Sequence, residues 1–298
     1  MRCRTVLYRR QNMFMLIAQL LSYPFLVRAM IVGLVVSLCA SLLGVNLSLR
    51  HFSMIGDGLS HVGFGALAVS FALHTAPLTI AIPVCIVAAF LLLKLDGNTS
   101  ISGDAAIALI SSGALAIGVM TVSLTSGMNT DVCNYMFGSI LSLSKSDARI
   151  SIILSICVIL LYTMCYLQIF AITFDESFAH AIGIRTGFYD SALALCTALT
   201  VVLGMRMMGA LLISSLIIFP AMTSMRLFKR FFTVTIASAI ISIVSFIIGM
   251  VLSFRFNIPS GAGIVCVNIV LFLIFSLLGI LFKSGTKHFI PASRRAPS

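Results

Sequence analysis

Long apolar runs separated by short polar linkers decide what this chain can fold into. Nine can be traced, at residues 26–49, 54–74, 77–93, 104–124, 150–172, 191–203, 209–225, 232–254 and 261–282. Most approach the ~20 residues a helix needs to cross the hydrocarbon core of a bilayer. Of the 298 residues, 60% are hydrophobic and only 9% are Asp, Glu, Lys or Arg; a soluble domain carries about 25% charged residues. So few charges cannot cover a water-facing surface, which excludes a water-soluble enzyme and a disordered chain. The chain reads as an all-α polytopic membrane protein with about eight to nine transmembrane helices. The count is eight if 191–203 and 209–225 are one span interrupted at Gly204-Met205-Arg206.

The 19 basic and 8 acidic residues leave a formal charge of +11. The basic residues sit mostly in linkers and at the termini, where they set orientation. No Lys/Arg stripe interleaved with aromatics accompanies them, so nucleic acid is not a partner. With nine crossings and Arg226, Lys229 and Arg230 facing the cytoplasm, alternation puts Arg50, Lys94, Arg185, Lys283, Lys287, Arg294 and Arg295 on the same side. Arg28, Lys145, Arg149, Arg206 and Arg255 fall outside, a two-to-one bias in the expected direction. The eight cysteines are scattered, with no C-x-x-C pair, which argues against a disulfide framework or a structural zinc site.

Three regions divide the chain. Residues 1–25 form a basic arm (Arg2, Arg4, Arg9, Arg10) followed by a short apolar segment at 13–25. That order resembles a signal peptide, but no small-residue cleavage site follows, and an interfacial helix or short anchor is the preferred reading. Met13 and Met15 are alternative starts. Residues 26–282 read as a single transmembrane domain without internal repeats, and 283–298 as a basic cytoplasmic tail.

Few residues in the apolar runs are equipped for chemistry. Asp57 and His61, in Gly56-Asp57-Gly58-Leu59-Ser60-His61, are four apart and share one helical face. Intramembrane ionisable groups are costly and mark functional sites by default. A carboxylate with an imidazole suits a borderline divalent ion such as Zn²⁺ or Mn²⁺; the alternative is a pair that neutralises itself near a helix end. Residues 174–184 place Asp175 and Glu176 at a helix start and Gly183 at its stop, with Phe178, Ala181 and Ile182 on an apolar face. This is either a short amphipathic helix that docks on membrane or partner, or a surface loop. In the run from Gly209 through Ser214 and Ser215, Pro220 removes a backbone donor, which fits a hinge or ordinary helix packing. Met205, Met207 and Met208 read as core filler, and Asp104 as a helix-start residue. No G-x-x-x-x-G-K-[ST], H-E-x-x-H or G-x-S-x-G motif is present, so the chain carries no ATP-binding loop or hydrolytic nucleophile of its own.

Five stretches in unbroken order resemble one family. Residues 49–61 are similar to the phrase "LRR-x-x-x-x-GDALSH" of the ABC-3 family, the zinc/manganese-type permeases of bacterial ABC importers. Residues 22–30 look like its "YPF-x-x-RA", and Tyr135-Met136-Phe137-Gly138-Ser139-Ile140-Leu141 looks like its "YLFGSIL". Residues 174–184 resemble its "FD-x-E-x-A-x-x-x-G" loop, and 211–221 its "LLVSALLVIPA". The departures are Gly58 where Ala is usual, which loosens the helix beside the ligands, His51 where a second Arg is usual, and the Arg-rich N-terminal arm.

The resemblance implies a type II ABC-importer-like permease in a bacterial plasma membrane, a homodimer around a central pathway. Cytoplasmic ABC ATPase subunits would hydrolyse the ATP, and an extracytoplasmic metal-binding protein would deliver the ion. By the same resemblance Asp57 and His61 coordinate metal, and Asp175, Glu176, Ala179 and Gly183 belong to the helix coupled to the ATPase. Gly209 and Pro220 are hinge positions, and Tyr135, Phe137 and Gly138 lie on the docking surface for the binding protein. The expected cargo is Zn²⁺ or Mn²⁺, with Fe²⁺ as a further candidate, and no permanently bound cofactor. The rivals are a permease for a metal chelate, siderophore or corrinoid, and a stand-alone secondary carrier.

Overall fold

The computed structural model describes residues 24–50, 52–98, 103–125, 145–256 and 258–287. Every element in them is helical. In chain order they are α1 (Pro24–Leu49), α2 (Ile55–Ala72), α3 (Pro77–Asn98), α4 (Gly103–Thr125), α5 (Lys145–Met164), α6 (Tyr166–Phe174), α7 (Glu176–Ala181), α8 (Thr186–Met208), α9 (Ala210–Leu227), α10 (Phe231–Phe256) and α11 (Ser260–Lys287). Tyr135, Phe137 and Gly138, and the basic arm at 1–23, lie outside the described residues.

Seven helices (α1, α2, α4, α8, α9, α10 and α11) are each long and apolar enough to cross a membrane. The single span expected over 150–172 is instead two helices that meet at 69° across Cys165, apolar enough together for an eighth crossing if the bent pair is one span. The apolar part of α3, Pro77–Leu92, is shorter. Arg50, at the end of α1, is paired with Asp190, near the start of α8, so these two helix ends meet at one end of the bundle. The break expected at Gly204-Met205-Arg206 is absent, since those residues lie inside α8; the chain breaks at Gly209, between two full helices, α8 and α9, not two halves of one span.

The core gathers around α9. Its Leu212, Ile213, Leu216, Ile217 and Ala221 are fully enclosed, because α9 packs against α1, α2, α8, α10 and α11. Lipid tails offer no hydrophobic drive for helix association, so close backbone approach has to supply the packing. Glycine permits it at Gly44 of α1, where a Cβ would run into the Ile217 carbonyl. Large apolar side chains point outward on the rim helices, among them Leu109 on α4 and Leu277 and Leu281 on α11, as a lipid-facing surface requires. Hydroxyls are turned inward: Ser242 of α10 donates to the Ser37 carbonyl of α1 at 2.9 Å. At the far end of α2 the Ser70 hydroxyl lies 3.1 Å from the Ala76 carbonyl and 3.2 Å from that of Thr75, closing the turn into α3.

Candidate functional site

Asp57 and His61 sit in the first two turns of α2, the end at which Arg50 and Asp190 meet. The helical spacing brings His61 Nε2 within 3.5 Å of Asp57 Oδ2. Neither group is sealed in: the Asp57 side chain is 45% exposed and that of His61 27%. The neighbouring residues on the helix are small for a reason of packing. A Cβ on Gly56 would sit 2.9 Å from Cδ1 of Ile217 on α9, and one on Gly58 would sit 2.7 Å from Cγ2 of Ile107 on α4. Helices α4 and α9 thus flank the pair tightly from both sides, and Gly58 fills a closely packed groove rather than loosening the helix. Ser60 donates to the Asp57 carbonyl at 2.7 Å, and the Ser214 hydroxyl of α9 donates to the Leu211 carbonyl at 3.3 Å.

One carboxylate oxygen and one imidazole nitrogen give two ligand types suited to a borderline divalent ion. Among the described residues no cluster of three or more His, Cys, Asp or Glu side chains assembles within the chain. The pair presents these two ligand types on a partly open surface.

The short helix expected from 174–184 is present as α7. Asp175 is its N-cap, extended at φ −152°, and its carboxylate accepts from the Phe178 N–H at 2.9 Å. Gly183 ends the helix at φ +86°, and the Ile184 N–H returns to the Ala179 carbonyl at 3.0 Å, the Schellman closure that a left-handed glycine allows. Ala179 is fully buried, while Phe174, Phe178 and Ile182 are each more than half exposed. The helix is pinned by a small residue and presents an apolar outer face. Gly209 lies between α8 and α9 at φ +88°, ψ +155°, a region essentially reserved for glycine. Pro220 is buried inside α9.

A further set of charges comes together here that the sequence does not announce. The Arg50 guanidinium grips Asp190 through two contacts, the longer being Nη2 to Oδ2 at 3.5 Å. The same Nη2 reaches Glu176 Oε2 of α7 at 3.4 Å. The one available signal is scarcity: with 8 acidic residues in 298, each acidic residue at a membrane boundary merits a search for its cation.

The ABC 3 transport family profile matches residues 22–279. The manganese import system permease protein ScaB of Streptococcus gordonii is 30% identical over 252 residues, covering 85% of this chain and 90% of that protein. The high-affinity zinc uptake system membrane protein ZnuB of Haemophilus influenzae is 31% identical over 255 residues, 85% of this chain and 97% of that protein. Among solved structures, PsaBC from Streptococcus pneumoniae in complex with Fab superposes with a TM-score of 0.79 at 29% identity, over 89% of this chain and 95% of that one. With the profile spanning nearly all of its membrane helices, this chain is a member of the ABC 3 transport family.

Proposed function

We propose that the chain is the multi-pass permease subunit of an ATP-binding-cassette importer, moving Mn²⁺ or Zn²⁺ across a bacterial plasma membrane. The observation that carries this reading is the half-open Asp57–His61 pair in α2, in a chain whose relatives are named for manganese and zinc import. The ion is cargo: it is taken up by the carboxylate and imidazole in exchange for part of its water shell, and released because two ligands do not saturate it. A second copy of the chain, arranged about a twofold axis, would bring another Asp57 and His61 and complete four ligands, the number a zinc site favours. A permease for a bulky organic chelate has no need of a paired carboxylate and imidazole.

The chain supplies no hydrolytic chemistry; ATP is split by separate subunits on the cytoplasmic side. Helix α7, with Asp175, Glu176, Ala179 and Gly183, is the surface we assign to that contact. Its support is the apolar face of Phe174, Phe178 and Ile182 exposed at the end of the bundle, where a partner's groove can cover it. Residues 132–143, including Tyr135, Phe137 and Gly138, are assigned to docking of an extracytoplasmic metal-binding protein. Gly209 and Pro220 are assigned to the hinge between α8 and the core of α9.

The test is ATP-dependent uptake of radioactive Mn²⁺ and Zn²⁺ into proteoliposomes holding this chain, its ATPase and its binding protein. Wild type is expected to accumulate one of the two ions. Asp57→Ala and His61→Ala are expected to abolish uptake while the complex still assembles. Normal uptake in both variants would return the pair to a self-neutralising role.

A further inference from the structure

Arg50 stands where three elements meet. Its guanidinium makes a two-contact grip on Asp190 of α8 and a single contact with Glu176 of α7, while its backbone closes α1. We infer that Arg50 is a positioning residue linking α7 to the start of α2, so that displacement of α7 reaches the Asp57–His61 pair. The inference rests on the transport reading above.

The two acidic partners differ in a way that suits such a link. The Arg50 and Asp190 side chains are each only 17% exposed. A planar guanidinium fork on a carboxylate, partly withdrawn from water, is a directional and durable contact. The Glu176 side chain is 56% exposed, and a contact so open to solvent is easily broken and remade. Arg50 is therefore held firmly to α8 and loosely to α7. Arg50 gathers two of the chain's 8 acidic residues.

The path from Arg50 to α2 is short and hydrogen-bonded. Arg50 N–H bonds to the Asn46 carbonyl at 3.0 Å, Phe52 N–H to Leu47 at 2.7 Å, and Ile55 N–H to Phe52 at 3.0 Å. The guanidinium also lies over the Phe52 ring, 5.8 Å from its centroid. Movement of the side chain is thus passed to Phe52, and from there to the first residue of α2, two positions before Asp57. Behind the grip is a cavity of about 30 Å³ lined by Arg50, Phe52 and Asp190, and by Ile55 and Leu59 of α2.

The experiment measures ATP hydrolysis and metal uptake in the same proteoliposomes, with the whole complex, for wild type, Arg50→Ala, Glu176→Gln and the exchanged pair Arg50→Asp with Asp190→Arg. If Arg50 links the elements, uptake per ATP falls about tenfold in Arg50→Ala and less in Glu176→Gln, and the exchanged pair, which rebuilds the contact with α8 but faces Glu176 with a carboxylate, does not recover the ratio. A merely structural ion pair would lower hydrolysis and uptake together and leave their ratio unchanged, which would overturn the inference. Should Arg50→Ala fail to assemble, Glu176→Gln decides, because it leaves the Arg50–Asp190 grip in place. Wild-type vesicles without ATP-driven uptake of either ion would defeat the transport reading itself; active wild type with unaltered ratios in the variants would defeat only the role of Arg50.

Discussion

His61 Nε2 and Asp57 Oδ2 stand 3.5 Å apart on one face of α2, and both side chains remain open. A pair kept for stability would be closed off or would hold other elements together; this one joins two residues of the same helix. An exposed i,i+4 pair contributes about 0.3–0.5 kcal/mol to a helix, and solvent screening reduces that further. Replacing Asp57 by Asn or His61 by Gln should therefore move the melting temperature of the detergent-solubilised protein by about 1 °C or less. The same variants should lose tenfold or more in metal uptake. A large fall in melting temperature with uptake retained would identify the pair as structural.

The N-cap of α7 is a second point of attack. Asp175 accepts the Phe178 N–H at 2.9 Å, and removing such a cap costs about 1 kcal/mol. In a helix of 6 residues that loss is felt locally and not by the bundle. Asp175→Ala should leave global unfolding nearly unchanged but weaken retention of the ATPase when the complex is purified in detergent. Asp175→Asn, which keeps an acceptor, should hold it. Equal retention in both variants and wild type would detach α7 from the ATPase contact.

Backbone geometry makes Gly209 distinctive. At φ +88° and ψ +155° an L side chain is strained by about 1–3 kcal/mol. Gly209→Ala should lower the melting temperature by several degrees and reduce uptake, because α8 and α9 can no longer meet at this angle. Gly113 on α4 provides the control: a Cβ there meets nothing within 4 Å, and Gly113→Ala in a helix interior should be neutral or stabilising by up to about 1 kcal/mol. Thermal unfolding of the two variants side by side checks both expectations.

What could be read in advance follows from the range of the forces involved. Spans are legible because hydrophobic length is a local property, and the Asp57–His61 pair because four residues of helix bring the groups together. Likewise Asp175 and Gly183 are legible as helix punctuation, since caps act within a turn. The bend at Cys165 is not: Met164, Cys165 and Tyr166 include no Pro or Gly, the usual local causes of a kink. Tyr166 instead packs against Phe231 of α10, ring centroids 5.4 Å apart, a tertiary contact invisible to a periodicity. The Arg50–Asp190 grip spans 140 positions and is equally hidden. Gly58 misleads for the same reason, since its meaning lies in a residue on another helix.

That last contact yields the most discriminating test of packing around the site. The family phrase has alanine where this chain has Gly58, and a Cβ there would come within 2.7 Å of the Ile107 Cγ2 methyl. Alanine is favoured over glycine in a helix by about 1 kcal/mol, but overpacking a tight groove costs about 1–3 kcal/mol. Ile107 is only 6% exposed, so its methyl has little room to retreat. Gly58→Ala alone should therefore destabilise the protein by about 1 kcal/mol. Ile107→Leu removes the branching methyl that blocks the Cβ. Combined with Gly58→Ala, it should give a protein more stable than either single variant, a coupling of about 1 kcal/mol or more in a double-mutant cycle. Additive effects would mean that α2 and α4 do not meet at these two residues, and that the groove holding Asp57 in place is built differently.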